Sequence, residues 1–294
     1  MSRGLKTILS IVVFMAACDS FVCSQERIRA IDRANEGVTA FQNGLYETAE
    51  RELKMAIQTD PTYHVAQYNL GKVYQKQRKW DRAIEAFEGA VQSDPNNANY
   101  HYDLGEAFLE AQQLERAEAA LKKASELDEK LFKAFWRLGL VYIALEKPKD
   151  ADAALRRAIE ANARLDKPFV ALGHLYLDYD AAREAEQVFS ECIRANEFSA
   201  ECQNGYGLAL KAEKKYDEAT TAFKRALELE PSLVTAVYNA GMTYSDWYDE
   251  SQSAEHKERA KEYLEKYVAS AGSKDGTFGY VKAANDKLYA LSGS

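Results

Sequence analysis

The chain is short of the residues that interrupt regular structure. Only 5 of its 294 residues are Pro and 15 are Gly, which excludes collagen-like, disordered and low-complexity chains. Four Cys are too few for a small disulfide scaffold. Basic runs are absent and the formal charge is −8, so nucleic acid is not an expected partner. The four His (His64, His101, His174 and His256) lack Cys or carboxylates at metal-ligand spacing. No HExxH, phosphate-binding loop, GxSxG or GxGxxG occurs. No catalytic centre, metal, cofactor or small-molecule substrate is therefore expected. Charges of both signs are interspersed, as in Glu115-Arg116-Ala117-Glu118, which reads as a solvated face.

Long apolar runs are also missing, with one exception at the N-terminus. Thr7 to Ala17 is apolar over 11 residues and follows the basic segment SRGLK. A spanning helix needs about 20 such residues. The layout is that of a secretory signal; an uncleaved anchor is the other reading. Met15-Ala16-Ala17-Cys18 resembles the lipobox of bacterial lipoproteins, with Met where that motif usually has Leu. The resemblance implies loss of residues 1–17 and lipidation of Cys18. Acyl chains hold a protein to a bilayer by about 0.8 kcal/mol per buried methylene. A cleavage site ending at Ser24 would instead give a soluble periplasmic protein. Either way the chain is expected to face the periplasm of a bacterial cell envelope. Asp19 resembles an inner-membrane retention signal, but the choice of membrane stays open, as does the state of Cys23.

The remainder is organised by a period. Gly recurs at 37, 71, 105, 139, 173, 207 and 241, and Ala at 49, 83, 117, 151, 185 and 219, always in steps of 34. A third column reads Ala56, Ala90, Ala124, Ala158, Cys192 and Ala226. A fourth reads Leu53, Phe87, Leu121, Leu155, Phe189 and Phe223. Pro closes the unit at 61, 95 and 231. This pattern resembles the tetratricopeptide repeat (TPR), a helix–turn–helix unit of 34 residues. The small columns let the two helices of a repeat approach, and the Leu/Phe column is expected to fill the space between neighbouring repeats. Pro stops the second helix. Where Glu129, Ala163 and Glu197 replace it, a smoother passage from helix to helix is expected. Pro148 is expected in the turn of the fourth repeat and Pro168 in the first turn of the next helix.

The implied fold is all-α: a right-handed superhelical solenoid of about seven repeats (30–63, 64–97, 98–131, 132–165, 166–199, 200–233 and 234–272) in one elongated domain. Residues 18–29 form a linker and the start of the first helix. In the last repeat the Ala column falls at Ala260 instead of 253, an insertion of seven residues read as a longer turn or an extended helix. Leu264 and Tyr267 resume the register. Residues 273–294 contribute a capping helix with Phe278, Val281, Ala284, Leu288 and Leu291 on one face.

The resemblance places the binding surface on the first helices. Its groove positions fall here on Tyr68, Lys72, Tyr102, Leu109, Trp136, Leu140, Ile143, Val170, His174, Leu177 and Tyr238. From Tyr102 to Leu177 they form an apolar stripe, of a kind that marks a binding surface. Each Tyr could equally pack on the neighbouring helix. Cys192 and Cys202 face each other across one repeat junction, either as two buried thiols or as a disulfide. The expected function is a non-enzymatic scaffold, a TPR lipoprotein that binds an extended segment or amphipathic helix of another envelope protein. One version resembles the pilotins of type IV pili. The other resembles adaptors for peptidoglycan-remodelling enzymes.

Overall fold

The computed structural model describes residues 24–271 and 278–293, and these are helical apart from short turns. The signal segment, the lipobox with Cys18, and Cys23 lie outside the described residues, as does the Phe278 side chain. Among the described residues there is no strand, and no helix is long and apolar enough to cross a membrane.

Helix α1 is described over 24–42 and α2 spans Tyr46–Thr59. The odd-numbered helices that follow are α3 (His64–Lys76), α5 (Ala98–Glu110), α7 (Phe132–Ala144), α9 (Asp166–Asp178) and α11 (Ala200–Ala212), each of 13 residues. The even-numbered helices are α4 (Trp80–Ser93), α6 (Leu114–Leu127), α8 (Pro148–Ala161), α10 (Ala182–Ala195) and α12 (Tyr216–Leu229), each of 14 residues. The last pair is longer: α13 (Val234–Ser251) and α14 (Ala254–Ala271) have 18 residues each. Helix α15 (Phe278–Gly293) ends the chain. The chain divides into two compact units, residues 1–141 and 142–294, so each is described by itself.

The glycine column explains the pairing. A Cβ built on Gly105 would lie 2.6 Å from Leu121 Cγ, and one on Gly71 would lie 2.5 Å from the Phe87 ring. Removing that single carbon lets the second helix press its largest side chain onto the first. Leu53, Phe87, Leu121, Leu155, Phe189, Phe223 and Leu264 are all fully buried. At about 2–3 kcal/mol for each buried side chain, this column is a main source of cohesion. The expectation that it fills the gap between repeats needs correcting. The column first fills the gap inside its own repeat; Phe189, which also presses on Gly205 of the next repeat, does both.

The turns within repeats share one geometry. Gly44, Arg78, Gln112, Glu146, Asp180 and Lys214 all have φ between +55° and +75°. At Arg78 its own N–H donates to the carbonyl of Gln75 and the following N–H of Lys79 to that of Tyr74. This is the left-handed closure that satisfies the last carbonyls of a helix. Pro148 does not sit in such a turn; it opens α8, where the missing N–H costs nothing.

The junctions between repeats are not smoother where Pro is absent. At Asp128, Asn162 and Asn196 a side-chain oxygen accepts from the N–H two residues on (Lys130, Arg164 and Phe198), as Asp60 does for Thr62. This Asx turn ends the helix without proline.

The insertion in the last repeat becomes helix. Ala260, Leu264 and Tyr267 are buried on schedule. Helix α13 overruns the usual end and α14 starts early, and only Gln252 and Ser253 separate them. Val281, Ala284, Leu288 and Leu291 of α15 pack into the same cluster as Tyr244, Leu264 and Tyr267.

Candidate functional site

Cys192 of α10 and Cys202 of α11 are both buried and joined by a disulfide, with Cα atoms 6.0 Å apart. The bond replaces the reading as two separate thiols. Cys192 occupies the small Ala column, so its sulfur sits where the second helix already touches the next repeat.

One cleft opens on the first-helix faces of each unit. That of the N-terminal unit, of about 540 Å³, lies between α3, α5 and the start of α7. It contains Tyr68, Lys72 and Tyr102. Tyr68 stacks on Tyr100 at 4.6 Å between ring centroids and donates to Asp103 at 2.5 Å. Lys72 donates to the same carboxylate at 3.0 Å. Both groove residues thus also tie α3 to α5. Burial first, and the Asp103 charge second, push the Tyr68 phenol far above its usual pKa. Tyr102 is pushed up to about 12, chiefly by burial and then by Glu106. Glu106 pairs with Arg137 at 2.5 Å, and burial outweighs that partner to raise its pKa. Asp128, Lys130 and Lys133 complete a polar rim.

The cleft of the C-terminal unit, also about 540 Å³, is different in character. Val170, Leu208, Val234 and Tyr238 line it, with Tyr267 of α14 and Tyr280 of α15. The Tyr238 ring packs on Tyr267 at 5.0 Å and edge-on to Tyr280 at 5.3 Å. His174 lies edge-on to Phe189 at 5.8 Å, and desolvation lowers its pKa. Asn239 donates to the buried Asn204 at 3.0 Å.

The two clefts hold six of the expected groove residues: Tyr68, Lys72, Tyr102, Val170, His174 and Tyr238. Neither is lined by Leu109, Trp136, Leu140, Ile143 or Leu177. Trp136 is half-buried with the Arg137 guanidinium 4.6 Å from its ring centre. Leu177 packs against the cluster of Ala185, Phe189 and Ala209. Asp103, Glu201, Asn239, Tyr267 and Tyr280 were not among the expected residues. Tyr267 and Tyr280 lie on helices that the first-helix rule ignores. Among the described residues no group of His, Cys, Asp and Glu could hold a metal ion.

Residues 17–246 match the family described as cilia and flagella-associated protein 70 C-terminal domain. No curated protein matches the chain. Among solved structures, the C-terminal part of a TPR repeat-containing protein from Cytophaga hutchinsonii aligns with a TM-score of 0.67 at 14% identity, covering 86% of this chain and 98% of that one. YrrB, described as a TPR protein with an unusual peptide-binding site, is 27% identical with a TM-score of 0.51, covering 69% and 100%. Pseudomonas aeruginosa pilF is 21% identical with a TM-score of 0.58, covering 72% and 96%. The fold is an all-α TPR array, a scaffold for protein interaction.

Proposed function

We propose that this chain, which belongs to the family described as cilia and flagella-associated protein 70 C-terminal domain, a TPR family, is a non-enzymatic scaffold of the bacterial cell envelope. It is anchored through an acylated Cys18 and holds a segment of a partner protein on its first helices. One observation carries the binding part. Each unit presents a cleft of about 540 Å³ lined by tyrosines, on first helices in the N-terminal unit and on α13, α14 and α15 in the C-terminal unit. Tyr offers a large rigid contact with a polar tip, which suits peptide recognition. The likeness to YrrB, a peptide-binding TPR protein, supports the same reading. Leu109, Trp136 and Leu140 extend the first-helix surface of the N-terminal unit, and Ile143 and Leu177 that of the C-terminal unit.

The envelope part rests on the sequence of residues 1–18. A pilotin-like role in type IV pilus assembly and an adaptor role for peptidoglycan-remodelling enzymes use the same geometry and differ in the partner. Two measurements test the proposal. Cys18→Ala should move the protein from the membrane to the soluble fraction; retention would contradict a lipid anchor. A pull-down from detergent-solubilised envelopes, with wild type and the double variant Tyr102→Ala/Tyr238→Ala as baits, should recover a partner that the variant loses. A secretin or pilus component would select the pilotin version, and cell-wall enzymes the adaptor version. Identical recoveries with both baits would put the partner on another face.

A further inference from the structure

The two clefts differ in charge, and that difference says what each can hold. In the N-terminal unit the cleft carries charges of both signs, with Lys72 paired to Asp103 and Arg137 to Glu106. A ligand there must compete with those ion pairs.

The cleft of the C-terminal unit has an apolar floor, a wall of Tyr238, Tyr267 and Tyr280, and one carboxylate, Glu201. Glu201 stands exposed in the first turn of α11. Among the described residues that line the cleft, the one basic side chain is His174. Desolvation lowers the His174 pKa, against Asp178 and Glu201, which act to raise it. Glu201 is the one carboxylate among the described residues lining the cleft, beside an apolar surface and with no lysine or arginine among them. Tyr280 is 58% exposed although its ring already meets Tyr238 edge-on. A side chain laid into the cleft would cover it.

We propose that this cleft docks an apolar segment of a partner protein that carries a lysine or arginine next to its apolar residues, the basic group pairing with Glu201. This rests on the scaffold reading above and specifies the partner of that surface. The hydrogen-bonded Asn204–Asn239 pair also lines the cleft, a polar element among apolar groups. A partner backbone crossing there would find an acceptor and a donor. Attraction at one end and apolar burial at the other fix the direction in which the segment lies.

The test uses the full chain purified in detergent and a phage-displayed library of random peptides. Wild type should select peptides with two or more large apolar residues and an adjacent Lys or Arg. Glu201→Lys should select Asp or Glu at that place. One wild-type peptide, synthesised and measured by fluorescence anisotropy, should bind about tenfold more weakly to Glu201→Lys and to Tyr280→Ala. Both substitutions are at exposed positions, and circular dichroism should be unchanged. The same charge preference with both baits would overturn the assignment. Peptides that ignore both variants and are lost with Tyr102→Ala would also overturn it, while leaving the scaffold reading standing. A library that yields no binder with any bait would count against the scaffold reading itself.

Discussion

The Tyr68 phenol and the Asp103 carboxylate are joined by a hydrogen bond of 2.5 Å across 35 residues of sequence. One belongs to α3 and the other to α5, so the bond ties one repeat to the next. The same step of 35 residues joins Asn204 to Asn239 in the C-terminal unit. Asp103 is buried, and its other partner is Lys72. Tyr68→Phe removes one donor and leaves the carboxylate under-satisfied. The expected cost is about 1–3 kcal/mol, read as a lower urea midpoint with helicity retained. An unchanged midpoint would mean that water replaces the phenol.

Tyr102 sets a pH limit. Its folded-state pKa is raised from 10.0 to about 12. A raised pKa means that the unfolded chain loses the proton first. The contribution of Tyr102 is therefore complete below pH 10 and is lost as pH rises from 10 towards 12. Stability should fall across that window, and Tyr102→Phe should flatten the fall. Phenolate absorbance at high pH checks the order: the native protein should ionise later than the chain in urea.

Glycine at the repeat contact can be tested against glycine elsewhere. A Cβ on Gly71 would lie 2.5 Å from the Phe87 ring, while one on Gly279 would meet nothing within 4 Å. Gly71→Ala should destabilise by about 1–3 kcal/mol through overpacking. Gly279→Ala lies in α15 and should be neutral or stabilising, by up to about 1 kcal/mol. Thermal melts of the two variants should move in opposite directions or differ by several degrees.

The disulfide closes a short loop, with 10 residues of separation. A bond of that span is worth about 2–3 kcal/mol. The double variant Cys192→Ala/Cys202→Ala restores the usual small residue at position 192 and removes only the bond. Its midpoint should fall by that amount. Dithiothreitol should bring wild type to the same level and leave the variant untouched. An indifferent wild type would show that the cysteines stay reduced.

Much of this was written in the sequence, for reasons that can be named. Columns at 34-residue steps encode contacts, because Gly37 and its equivalents must face one large side chain each. The helix pairs and the buried Ala260, Leu264 and Tyr267 followed from that alone. The turns were less visible. Arg78, Gln112, Glu146, Asp180 and Lys214 hold left-handed backbone without being Gly, so the residue type gives no cue. The Asx turns at Asp128, Asn162 and Asn196 are legible in principle, since Asp and Asn there precede the position that Pro fills in other repeats. The apolar stripe from Tyr102 to Leu177 was only partly a surface. Periodicity says which face of a helix a residue occupies, not what its neighbours cover. Leu177 is partly buried against the Phe189 cluster. Conversely, Tyr280 lies off the face that Val281, Ala284, Leu288 and Leu291 share, and it lines a cleft.

The central claim is that the tyrosine-lined clefts hold the partner. A photo-crosslinking amino acid placed at position 102, 238 or 280 in living cells, and at the exposed Lys123 on α6 as a control, tests it most directly. Irradiation should give a discrete adduct with one partner from positions 102, 238 and 280, and none from 123. Adducts from position 123 alone would contradict the account and move the interaction to the second helices.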